Sequence, residues 1–138
     1  MIHLINNIRL VECIEAYHLQ QSDIITDRGV WLNVYQHFDK IDTIGLSSVE
    51  ISDKIENNQR VFTTKLIMSR KAKLLPGSKK LCFRVTTVTG SQFLIGCADK
   101  PYPVVQNAET FPSVPSSKSG TTVTVTYTST IPMLAILG

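Results

Sequence analysis

At 138 residues, 43% hydrophobic and 18% charged, the chain has the composition of a folded protein that buries a core without disulfides or a structural metal. The segment Met1 to Leu10 is broken by Asn6 and Asn7 and lacks the continuous apolar stretch of a signal peptide, and no run approaches transmembrane length. The expectation is one domain over residues 1–138, made in a cytoplasm, with no membrane contact. Cys13, Cys82 and Cys97 stand too far apart for a Cys-x-x-Cys pair and read as reduced, largely buried thiols.

In chain order, Ile8 to Tyr17 admits both helical spacing and partial alternation, and we read it as a strand running into a turn. Asp23 to Gly29 reads as a connection closing on Asp27-Arg28-Gly29. Val30 to Phe38 is rich in aromatic and β-branched residues, including Trp31, the one tryptophan, and predicts a strand covered on one side. Val49, Ile51 and Ile55 alternate with Glu50, Ser52 and Lys54, as in a half-buried strand. Arg60 to Met68 returns after the turn residues Glu56 to Gln59, with Phe62, Leu66 and Met68 on one face. Leu74 to Ser78 contains Pro76-Gly77, which suits a type II turn.

Leu81 to Cys97 predicts a central hairpin turning at Thr89-Gly90-Ser91. Pro101 and Pro103 each remove a ladder donor, so their segment cannot be an interior strand. Asn107 to Gly120 is polar and rich in Ser and Pro and reads as a long loop. Thr121 to Thr128 shows the cleanest alternation of the chain, with Val123, Val125 and Tyr127 on one face and threonines on the other. We expect it to be an exposed edge that invites pairing with another chain. Met133 to Leu137 would form an edge strand or insert into a neighbour. About seven strand candidates and no long amphipathic helix predict an all-β antiparallel sandwich or open barrel.

Chemistry is sparse. His3, His18 and His37 lack ligand-spaced partners, and His37 with Asp39 is too small a set for a metal. No Gly-x-Ser-x-Gly elbow or glycine-rich phosphate loop is present, so neither an enzyme nor a cofactor is expected. Charge is more informative. Nine of the eleven acidic residues lie in residues 1–56, whereas residues 57–98 hold none and carry Arg60, Lys65, Arg70, Lys71, Lys73, Lys79, Lys80 and Arg84. These cations form a candidate basic surface for nucleic acid. The preferred reading is that they solvate one face or meet the acidic N-terminal half.

The order of Trp31, a hairpin, the run Phe83-Arg84-Val85-Thr86-Thr87-Val88-Thr89-Gly90-Ser91-Gln92-Phe93-Leu94-Ile95-Gly96, the segment Lys100-Pro101-Tyr102-Pro103-Val104, a Ser/Gly loop and a last strand ending in Thr130-Ile131-Pro132 resembles a group of small proteins. These are encoded in phages and prophages of gut anaerobic bacteria, among head and tail structural genes. The resemblance covers roughly residues 31–132, with Thr-Gly where the group often has Asp/Asn-Gly and with one extra proline. It implies a virion structural protein of the head-tail connection or tail. Such a protein acts through contacts with its own copies and other virion proteins, in the bacterial cytoplasm during assembly and then in the virion. The corresponding candidate assembly surface is Phe111, Val114 and Lys118 of the loop with Thr122, Thr124 and Thr126 of the last strand. The alternatives are a nucleic-acid-binding module using the basic stretch and a host-surface or carbohydrate-binding module displaying Trp31 or Tyr102.

Overall fold

The computed structural model describes residues 2–16, 24–26, 29–31, 38–71, 73–74, 77, 79–96, 102–110, 120–130 and 133–137. Among them lie eleven strands: β1 (Ile2–Glu15), β2 (Ile24–Thr26), β3 (Gly29–Trp31), β4 (Asp39–Ile41), β5 (Ser47–Glu56), β6 (Gln59–Arg70), β7 (Leu81–Thr87), β8 (Gln92–Ile95), β9 (Val104–Thr110), β10 (Gly120–Ser129) and β11 (Leu134–Leu137). The all-β expectation holds, and the described residues contain no α-helix. Nine strands, β1 and β4 to β11, form an open antiparallel sheet that does not close into a barrel. The β2–β3 hairpin is attached to it by a parallel pairing of β3 with β11.

β1 is the pivot. One of its edges pairs with β7 from Ile8 to Glu15, while the other takes β5 over Ile2–Ile8 and then β4 over Val11–Cys13. The register shifts on either side of Ile8, and such irregularities bend a strand and tighten its twist. The strands beyond β5 (β6, β10, β9) and those beyond β7 (β8, β11) therefore fold toward one another. They share a core in which Val49, Leu66, Met68, Val123, Val125 and Tyr127 from one half meet Ile8, Val11, Phe83, Val85 and Ile95 from the other. The opposite face of β7 is also covered. Cys82 and Leu94 pack there with Ile14, Ala16 and Phe38, so Leu81–Thr87 is buried almost throughout. A strand buried on both faces reads as a continuous apolar run, which is how the Leu81 to Cys97 hairpin was legible. Its turn is closed by Thr87 N–H to Ser91 O (2.9 Å) and Gly90 N–H to Thr87 O (3.0 Å).

Several expectations need correction. The N-terminal strand starts at Ile2 rather than Ile8, and β2 occupies part of the segment read as a connection. The strand placed at Val30 to Phe38 is described only as β3, and residues 32–37 lie outside the described set. Between β5 and β6 the connection has two residues, not four. Glu56 pairs with Gln59, and Asn57 and Asn58 take φ of 49° and 64°, as a type I′ turn requires. Ile55 is not inward but 68% exposed, because the tip of this hairpin extends beyond the core, and Phe62 is half-buried, with Thr64 taking the fully buried place beside Leu66 and Met68. β10 is not an edge, since β6 and β9 flank it on either side, and β11 lies between β8 and β3. The loop read from Asn107 begins as strand β9, which runs to Thr110. Of the turn at 74–78 only Leu74 and Gly77 are described.

Candidate assembly surface

β9 terminates the sheet. It pairs with β10 on one side, and among the described residues no strand covers the other. Alternation divides its side chains. Val105 and Asn107 face inward opposite Val125 and Val123, whereas Val104, Gln106 and Ala108 are exposed on the outer face. Val104 is 58% exposed, a large apolar side chain in water at the end of an uncharged strand segment. Asn107 fixes the strand to the body of the protein. Its Oδ1 accepts from Leu74 N–H (2.9 Å) and its Nδ2 donates to Leu74 O (3.1 Å), satisfying both backbone groups of that residue.

Beside the edge, Tyr102, Val104, Gln106, Thr126 and Thr128 line an open basin of about 390 Å³, and none of these lining residues is charged. The threonine face of β10 continues it: Thr122, Thr124 and Thr126 are half-buried and Thr128 is exposed, with Thr128 Oγ1 3.4 Å from Thr63 Oγ1 of β6. The three predicted β10 residues, Thr122, Thr124 and Thr126, are thus brought onto one outer face, next to the free edge. Phe111, Val114 and Lys118 lie outside the described residues. Missed in the sequence were Val104 and Gln106, while Tyr102 was read there as a host-surface aromatic. The signal was the short run Val104 to Ala108 between a proline and a glutamate, which proline content and loop composition masked.

The basic stretch does not form one strip. Arg60 pairs with Asp53 at the exposed hairpin tip, Lys65 stands opposite Glu50 in the β5–β6 register, and Lys79 lies 3.5 Å from Glu15. Arg84 grips Glu12 with two parallel bonds, Nε to Oε1 at 2.9 Å and Nη2 to Oε2 at 2.8 Å, while its guanidinium stacks 4.1 Å from the centre of the Phe38 ring. With side chains only 23% and 13% exposed, this is the least solvated ion pair described, and it ties the segment before β4 to the outer face of β7. Strand pairing is the reason for the arrangement: β5 and β1 carry the acids, β6 and β7 the bases, and each acidic strand lies beside a basic one.

A concentration of charge remains where β6 leads toward β7. Arg70, whose Nε donates to Asp42 O (3.0 Å), lines with Lys71, Asp42, Thr43 and Ile44 a second basin of about 420 Å³. Lys71, Lys73, Lys79 and Lys80 are exposed. Asp39, Asp42 and Glu15 stand in the same region, so it is mixed rather than uniformly positive. Cys13 lies here as a half-buried thiol, and burial pushes its pKa up, aided by Asp39 and opposed by Arg70 and Lys79. Among the described residues no three of His, Cys, Asp and Glu gather as metal ligands, and no helix is long and apolar enough to cross a membrane. Of the aromatics named for host-surface binding, Tyr102 lines the basin and packs against the second cluster, and the Trp31 side chain is outside the described set. Comparison with protein-family models, with curated proteins and with solved structures finds no match to this chain.

Proposed function

We propose that this chain is a structural subunit that works by assembly, of the kind found among phage and prophage virion proteins at the head-tail connection or in the tail. The observation that carries the reading is the outer edge of β9, which no strand among the described residues covers, beside an outer face lined by uncharged residues. An exposed edge presents a row of unpaired N–H and C=O groups, and monomeric proteins blunt such edges with lysine, proline, bulges or a covering segment. From Val104 to Ala108 β9 has no charge and no proline, and its ladder with β10 runs without a register shift. An edge kept pairable in this way fits a chain whose work is to join others, first in the bacterial cytoplasm and then in the particle.

Sedimentation over a wide concentration range tests it. The expected result is a discrete oligomer that persists on dilution into the low micromolar range, together with capsid, portal or tail genes beside the coding sequence. A protein that stays monomeric at millimolar concentration, encoded among metabolic genes, would overturn the proposal.

A further inference from the structure

Resting on this reading, we infer that the partner at the β9 edge is a second copy of the same strand, added antiparallel about a two-fold axis at Gln106. Antiparallel pairing of one edge with itself is isologous: residue i faces j and j faces i, so the register is defined by the residue at the axis. β9 offers few choices. Pro103 precedes it and has no N–H for a ladder, while Glu109 is the first charged residue of the strand. The run free of both is Val104 to Ala108, and its midpoint is Gln106.

With the axis there, Val104 faces Ala108 of the partner subunit on the outer side, and Val105 faces Asn107 of the partner subunit on the inner side. Gln106 faces its own counterpart, where two amides can bond reciprocally. The exposed Val104 gains an apolar neighbour on both halves of the seam, and Asn107 already has its amide satisfied by Leu74. Moving the axis one residue toward the C-terminus sets Glu109 against the half-buried Val105 of the partner subunit. Moving it one residue the other way brings Pro103 into the ladder opposite Asn107 of the partner subunit. Because opposed side chains in an antiparallel pair share a face, the axis stands normal to the sheet. The two basins lined by Tyr102, Val104, Gln106, Thr126 and Thr128 then lie on the same side of one continuous sheet.

Site-directed crosslinking reads the register. Directly opposed residues bring their Cβ atoms to about 4.5–5.5 Å, close to disulfide range, so Gln106→Cys should give a covalent dimer under mild oxidation. Ala108→Cys should not, since each residue 108 sits about 14 Å along the strand from its counterpart at ~3.4 Å per residue. Val104→Lys, at an exposed position that leaves the core untouched, should weaken the dimer at least tenfold while leaving the far-ultraviolet spectrum of the monomer unchanged. If Ala108→Cys links as fast as Gln106→Cys, the register is wrong. If the wild-type protein sediments as an oligomer, Val104→Lys does not alter it and Gln106→Cys does not link, this interface is refuted while assembly stands. A wild-type protein monomeric at every concentration removes both.

Discussion

Gly96 offers a direct test of the packing, because two separate penalties meet there and Gly90 isolates one of them. Both residues hold positive φ, +101° at Gly96 and +96° at Gly90. Alanine at either position is forced into a backbone region that L-residues avoid, at a cost of about 1–2 kcal/mol. At Gly90 a Cβ meets nothing within 4 Å, so that strain is the whole effect. At Gly96 it falls 2.9 Å from Cys82 Sγ and 2.9 Å from Pro103 Cγ. Neither neighbour yields easily, since Cys82 is fully buried in β7 and Pro103 is a rigid ring just before β9. Overpacking of this kind costs about 1–3 kcal/mol, so Gly96→Ala should destabilise by about 2–5 kcal/mol in all. Urea unfolding of the two variants checks this: Gly96→Ala should lose about 1–3 kcal/mol more than Gly90→Ala with an unchanged m-value. If the two variants agree within about 0.5 kcal/mol, the close approach of β8 to the segment before β9 is not real, and the position of the β9 edge is in doubt with it.

Four further outcomes are expected. Arg84→Ala or Glu12→Ala should each cost about 2 kcal/mol, with a coupling of at least ~1 kcal/mol in the double-mutant cycle, because each leaves a poorly solvated charge unpaired; additive effects would mean the pair is idle. Thr64→Val should stabilise by about 1 kcal/mol in thermal or urea unfolding, since the Thr64 hydroxyl is fully buried with no hydrogen-bond partner among the described residues; a loss of that size would show that the hydroxyl is bonded. The raised pKa of Cys13 means that the folded state holds its proton longer than the unfolded chain. Its contribution to stability is thus complete below the ordinary thiol pKa of about 8.5 and declines as pH rises through the folded value; Cys13→Ala should flatten the alkaline arm of the stability curve, and an unchanged arm would refute the assignment. Finally, if Arg70, Lys71, Lys73, Lys79 and Lys80 acted together on a nucleic acid, log K against log salt would fall with a slope of about −4 to −5; with Glu15, Asp39 and Asp42 among them, a fluorescent oligonucleotide titration should show a slope shallower than about −2 and no binding at physiological salt.

How much was legible in the sequence depended on whether burial alone set the pattern. β10 was evident because one face is core and the other is not, so Val123, Val125 and Tyr127 alternate with threonines. β7 and β8 were evident because β7 is covered on both faces and the turn needs Gly90. β9 was obscured, since its edge carries no alternation strong enough to outweigh the prolines before it and the polar loop after it. β1 was half-seen, because its bulges around Ile8 break the period of two that a strand otherwise shows.

The amino-acid sequence by itself determined the class: period-two alternation, β-branched content and frequent turn residues leave a chain like this little but antiparallel sheet. It also held the uneven distribution of charge along the chain. Which strand stands at the edge, and what the charges meet, only the tertiary structure decided. Both depend on pairings between residues far apart in sequence, such as Glu12 with Arg84 and Thr126 with Val104, and local pattern carries no information about which strand becomes whose neighbour. That ordering put β9 rather than the threonine strand at an edge that no strand among the described residues covers, and it set Arg60, Lys65 and Arg84 beside acids on neighbouring strands.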